Sequence, residues 1–326
     1  MNIIKPSTEE LYVNNPQKHI ELIARTCYKS ENNITDDSHK TMCKNLYKNK
    51  HWAMLEHFIF IYKINKVTDF KSSFIDILNS EKYIDITEQF INNERRTIIS
   101  FNTRSLLDLL NKYKDHDYIL HDLIMLIEKI VYDYDCDEIF GNRFKKVDHE
   151  CFIKINIIDI SMLTPTEQFI HGWHSIKFIC DRGVSHEIVR HRDASFAQES
   201  TRYCNYSKDK YKNEITVIEP CFFGNSSQYD DWKNACEKSE WYYFKLLNDG
   251  NTPQEARTVL PNSLKTELIM TAKLYEWNHF FELRADKPAH PQMREVAIPL
   301  LIDFNNKYSD LFAETYSELY NSIKGN

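Results

Sequence analysis

The chain has 326 residues, enough for one elaborated domain with a sizeable core, and its 13% aromatic and 27% charged residues exclude a largely disordered chain. A formal net charge of −7 argues against an extended nucleic-acid footprint, which needs a basic surface to neutralise phosphates. The start, MNIIKPSTEE, lacks a secretory h-region and no later segment approaches the about 18 apolar residues of a membrane span, so a cytoplasmic protein without membrane contact is expected. Eight cysteines are scattered without a CxxC pair, and no metal site is expected.

Residues 20–47 have helical spacing, interrupted by the polar loop ENNITDDS, and LEHFIFIYKI (55–64) reads as a strand. Residues 66–172 read as a helix-rich insertion or subdomain within a single domain spanning 1–326; it holds SLLDLLNKY and DYILHDLIMLIEKIVYDY, then the β-branched run FIKINIIDI. HSIKFICDRG is expected to be a strand ending in a glycine turn, followed by a short helix VSHEIVRHR capped by Ser185. A helix over 230–247 precedes another opening at Thr252-Pro253-Gln254-Glu255, where Thr is the N-cap, Pro the first helical residue and Glu closes a capping box. Pro261 ends it; TELIMTA then forms a strand, EWNHFFEL a helix delivering Arg284, and residues 290–320 a helical tail. The pattern predicts an α+β fold with a central, mostly antiparallel sheet flanked by helices. One faint echo, ISFNTRSLLDLL against MTAKLYEWNHFFEL, pairs a short strand with an amphipathic helix twice; a single such pair reads as chance and does not establish a repeat.

None of the six glycines forms GxGxxG or a P-loop, so any nucleotide must be held by side chains and helix ends. RHRDASFAQESTRY (190–203) concentrates three arginines with Ser, Gln and Tyr, which is phosphate and base recognition chemistry. A generic charge run of this kind is more often a solvated face, but small and aromatic residues between the charges favour a lined pocket. His186 and His191, five apart, lie about 140° apart around a helix and cannot share a metal from one face. Ser200 lacks the GxSxG elbow, and a hydrogen-bonding role suits it better than a nucleophilic one. Arg257 and Arg284 would singly read as surface salt-bridge partners, and Trp277, Phe280 and Phe281 as core.

Arg190-His191-Arg192, seven residues, then Ser200 reproduces the RHRx7S signature, and the chain resembles the flavin-dependent thymidylate synthases. DRGVSHEIVRHR, STRYCNYS, EARTVLPNSLKTEL, FFELRADKPAHPQMRE, ARTCYKS and the Leu55-Glu56-His57 region support the resemblance; residues 66–172 lie outside it. It implies reductive methylation of dUMP to dTMP, with methylenetetrahydrofolate as carbon donor and NADPH-reduced FAD as hydride donor, in a homotetramer with shared sites. It further implies that Glu187, Arg190, Gln198, Ser200, Arg202 and Arg257 bind dUMP and that Arg284 is catalytic. His51, Ala53, Arg190, His191, Arg192, Gln198, Lys273, Tyr275 and His279 would face FAD. At Ala53, Lys273 and Tyr275 the chain departs from the Thr, Asn and Arg common in the family. Those departures motivate the alternative of a nucleotide-binding regulator that lost flavin chemistry.

Overall fold

The computed structural model describes residues 1–64, 72–91, 94–202, 204–208, 211–224 and 226–324. Strands β1 (Asn2–Ile4) and β2 (Ser7–Leu11) lead into α1 (Pro16–Tyr28), where the Asn15 side chain accepts from Lys18 N–H and Pro16 opens the helix. Then come α2 (Ser38–Lys48), a 3-10 turn (Trp52–Glu56) and β3 (Ile59–Ile64). Next are α3 (Ser72–Asn79), β4 (Asp85–Ile91), β5 (Glu94–Asn102), α4 (Thr103–Lys112), α5 (Asp117–Tyr134) and β6 (Phe152–Ile155). Helix α6 (Pro165–His171) begins with a Thr164/Glu167 capping box and feeds β7 (Trp173–Asp181), α7 (Arg182–Ile188) and β8 (Ser195–Gln198). The chain closes with β9 (Thr216–Ile218), α8 (Ser227–Asn248), α9 (Pro253–Ala256), β10 (Lys265–Lys273), α10 (Leu274–Arg284), α11 (Pro291–Lys307) and α12 (Ser309–Lys324).

Two antiparallel four-stranded sheets, ordered β2-β7-β10-β8 and β4-β5-β3-β6, form the frame, and β1 and β9 make a small parallel pair. The α+β expectation holds. One hydrophobic core runs through both sheets, from Phe60, Phe101 and Ile127 to Trp173, Phe178 and Trp277. A smaller cluster of Tyr206, Tyr243 and Leu264 lies under α8. Among the described residues no helix is long and apolar enough to cross a membrane.

The stretch 66–172 holds α3, α4, α5 and α6 together with the strands β4, β5 and β6; residues 65–71 and 92–93 lie outside the described residues. Several local expectations need correction. Strand β4 is an edge strand whose Phe90 is 79% exposed, so its alternation of apolar and polar residues is blurred. FIKINIIDI is a strand only over Phe152–Ile155 and continues as a 3-10 turn, Ile157–Met162. Gly183 lies inside α7 and makes no turn there. The N-cap of that helix is Asp181, not Ser185: the carboxylate accepts from Val184 N–H at 2.7 Å, one turn earlier than the serine allows. Helix α9 has its predicted capping box but runs only to Ala256, so Arg257 opens a 3-10 turn, Arg257–Val259.

Candidate functional site

Helix α10 buries Leu274, Trp277, Phe280 and Phe281 completely, which fixes its rotation and sends Arg284, in its last turn, toward the end of α7. There Arg284 Nη2 donates to the Glu187 carbonyl at 3.0 Å, Nη1 lies 3.6 Å from the Glu187 carboxylate, and Nε donates to His191 Nε2 at 3.2 Å. A cation at a helix C-terminus is favoured by the backbone carbonyls left without intrahelical donors. Burial, then the Arg284 and His279 charges, push His191 down to about 4. The ring is therefore neutral near pH 7, and its Nε2 serves as the acceptor that Arg284 needs. The His191 ring packs edgewise against His279, centroids 5.9 Å apart, and tilted on Phe280 at 5.1 Å.

A second group forms at the other end of β8. Gln198 Nε2 donates to Ser185 Oγ at 2.9 Å and to Thr266 Oγ1 at 3.2 Å, tying the strand to α7 and β10. The following turn is fixed by Ser200 N–H on the Cys27 carbonyl at 3.1 Å, and Arg257 Nη1 reaches Thr201 Oγ1 at 3.2 Å. Beneath it Lys265 links the Glu199 and Glu267 carboxylates at 3.0 and 2.6 Å, and Lys29 pairs with Glu267. Arg190, Arg192, Arg202 and Arg257 are exposed around these groups, and Tyr203 lies outside the described residues. Among the described residues Arg190, Arg192 and Arg257 make no ion pair with a carboxylate, so their guanidinium groups retain the capacity to take a phosphate.

The remaining candidates separate. Lys273, at the far end of β10, is buried and donates to Ser100 Oγ at 2.9 Å while pairing with Asp85. Ser100 in turn meets His171 Nδ1 at 2.8 Å, and His171 Nε2 meets Thr87 Oγ1 at 2.9 Å. Burial drives the Lys273 ammonium down, and Asp85 opposes that shift. With its charge already answered from within the chain, Lys273 is a poor anchor for a ligand phosphate. Tyr275 lies edgewise to Phe169 at 6.4 Å and, with Glu56, Asp193 and Lys273, lines a cavity of about 140 Å³. His51, the N-cap, and Ala53 are exposed on the 3-10 turn that leans on β8, where Glu56 accepts from Ser195 Oγ at 3.0 Å and pairs with Arg104 at 3.3 Å. His279, also exposed, sits 3.5 Å from Glu282.

Thus Glu187, His191, His279 and Arg284 converge, Gln198 is tied to Ser185 of the same helix α7, and Arg257 joins the 200–202 turn. Sequence reasoning missed Ser185 and Thr266 as partners of Gln198, Thr201 as that of Arg257, and Asp85 as that of Lys273. Thr201 stood inside the RHRx7S neighbourhood and was findable there; nothing local marks Asp85, 188 positions from its partner.

The family model described as thymidylate synthase complementing protein matches residues 11–72 and 158–307, more than half of the chain. The flavin-dependent thymidylate synthase of Pyrococcus furiosus is 35% identical over 122 residues, 37% of this chain and 50% of that protein. That of Sulfurisphaera tokodaii is 30% identical over 155 residues, 45% and 58%, and that of Geobacter sulfurreducens 32% over 120 residues, 37% and 50%. The chain spans about half the length of the curated relatives it matches.

Proposed function

The chain belongs to the thymidylate synthase complementing protein family, and on that footing we propose that it is a cytoplasmic flavin-dependent thymidylate synthase. It methylates dUMP to dTMP with methylenetetrahydrofolate as carbon donor. Bound FAD, reduced by NADPH, would supply the hydride. The observation that carries the reading is Arg284: a guanidinium held from two sides, by a neutral imidazole and a helix-end carbonyl, at the meeting point of α7 and α10. Such a fixed charge beside the uracil ring favours the N3-ionised form and raises electron density at C5, the carbon to be methylated. His191 orients Arg284 without competing for its charge. Arg257, Arg202, Ser200 and Gln198 hold the nucleotide, with the phosphate at Arg257 and Glu187 and Arg190 bordering the same pocket.

For the flavin, Arg190 and Arg192, which make no ion pair among the described residues, fit a diphosphate, and His191, His279, Gln198, His51 and Ala53 supply the neighbouring surface. Lys273 does not fit that role, being neutralised by Asp85, and Tyr275 offers a ring face in place of a cation. This mismatch is what favours the second reading, a nucleotide-binding regulator without flavin chemistry.

Absorption spectroscopy separates the two. Purified protein reconstituted with FAD should be yellow and form dTMP from dUMP, NADPH and methylenetetrahydrofolate; a protein that binds dUMP yet neither retains flavin nor turns over is the regulator. Arg284→Ala should lower dTMP formation by at least about a hundredfold with flavin absorbance intact, and unchanged turnover would remove Arg284 from the mechanism.

A further inference from the structure

The echo between ISFNTRSLLDLL and MTAKLYEWNHFFEL extends to the whole of both sheets. The orders β4-β5-β3-β6 and β8-β10-β7-β2 correspond strand for strand, with every neighbouring pair antiparallel. The elements also arrive in the same sequence: β3, α3, β4, β5, α4 in one unit and β7, α7, β8, β10, α10 in the other. The registers coincide. Placing Ile59 on Trp173 places its partner Asn102 on Lys273, and both partners are the N-cap of the helix that follows. Ser100 then falls on Thr271, and their edge-strand partners are Asp85 and Ser195. On the other flank Ile61 faces Ile155, while its equivalent Ser175 faces Leu11. A one-residue slip would exchange the faces of a strand, so the coincidence of the two N-caps at Asn102 and Lys273 selects one alignment of β3–β5 on β7–β10, from which the other equivalents follow.

Contacts between the units are reciprocal. His57, two residues before β3, bonds Thr271 of the other sheet at 2.7 Å; His171, two residues before β7, bonds Ser100 of the first at 2.8 Å. The 3-10 turn ahead of β3 touches α4 and β8, and α6 ahead of β7 touches α10 and β4. The loops joining α3 to β4 and α7 to β8 meet through Lys82 and Asp193 at 3.2 Å. A contact of one residue with another, matched by the same contact between their equivalents, is the mark of a two-fold interface between like units.

We propose that residues 57–113 are a second copy of the core spanning 171–284, without the excursion between β8 and β10, packed against it as a built-in partner that fills one self-association face from within the chain. The copy no longer carries ligand chemistry. In its register Arg190, His191 and Arg192 become Ser80, Glu81 and Lys82, His279 becomes Asp108 and Arg284 becomes Tyr113. It still shapes the working unit, through Asp85 on Lys273.

Native mass spectrometry of the full chain, beside the Pyrococcus furiosus relative at equal concentration, tests this without reference to flavin or nucleotide. The expected assembly contains at most half as many chains as the relative's, because the face that would recruit a further copy is already filled. Any larger number overturns the proposal.

Discussion

Replacing Asp85 by Asn isolates the interaction that departs most from the sequence-level expectation. Lys273 is buried in the floor of a cavity, with its ammonium on Asp85 and Ser100, and Ser100 is already engaged by His171. Removing one partner of a buried ion pair costs about 3–5 kcal/mol because the other charge is stranded. Asp85 keeps 30% side-chain exposure, so solvent softens the loss and the lower end, about 3 kcal/mol, applies. Urea unfolding followed by circular dichroism should report that decrease with an unchanged slope. Adding Lys273→Met removes the stranded charge, and the Asp85→Asn/Lys273→Met protein should recover most of the stability. The variants also separate roles: if Lys273 only bridges the units, the double variant binds FAD as the parent does. A stable Asp85→Asn protein, or a double variant no better than the single one, would show that Asp85 does not offset a buried Lys273 charge.

Buried histidines set the acid limit. Burial holds His57 and His191 down to about 4 and His19 and His171 down to about 3. The unfolded chain takes up protons near the ordinary value of 6.5 and the folded chain does not, so stability is complete above about pH 6.5 and falls as pH drops toward 4. Each of these histidines contributes about 2 kcal/mol of loss by pH 5, and a Tm that stays flat from pH 7 to pH 4.5 would contradict this. Asp181→Ala removes the α7 N-cap and the acceptor for Gln292 Nε2 at 2.8 Å, and should lower stability by about 1 kcal/mol or more in thermal melts. Gly141→Ala should cost more than about 1 kcal/mol, measured the same way, since φ is +81° and the new Cβ would lie 2.5 Å from the Tyr47 ring.

The residues proposed to hold the nucleotide stand out in the sequence because their signals are local. RHRx7S occupies eleven consecutive positions, and the strand-helix unit that delivers Arg284 has clean apolar spacing; both elements formed where expected. The cap of α7 was misread because Asp181 and Ser185 are both competent cap residues four positions apart, and only the geometry of the Val184 N–H decides between them. The positions proposed to face the flavin were least legible. Whether Lys273 can meet a phosphate depends on Asp85, and no pattern within a window of sequence couples two strands of different sheets. The same limit hid the second copy, whose likeness resides in register and partner choice while its side chains have changed.

The pair between Asp85 and Lys273 has no mirror image, since the equivalent positions are Ser195 and Asn102. In an assembly of identical subunits every substitution is written into both sides of a two-fold axis at once, so an acid that helps on one side must be tolerated on the other. Joining the two units in one reading frame lifts that constraint: each side of the axis can acquire alleles of its own, and one-sided charge pairs become accessible to selection.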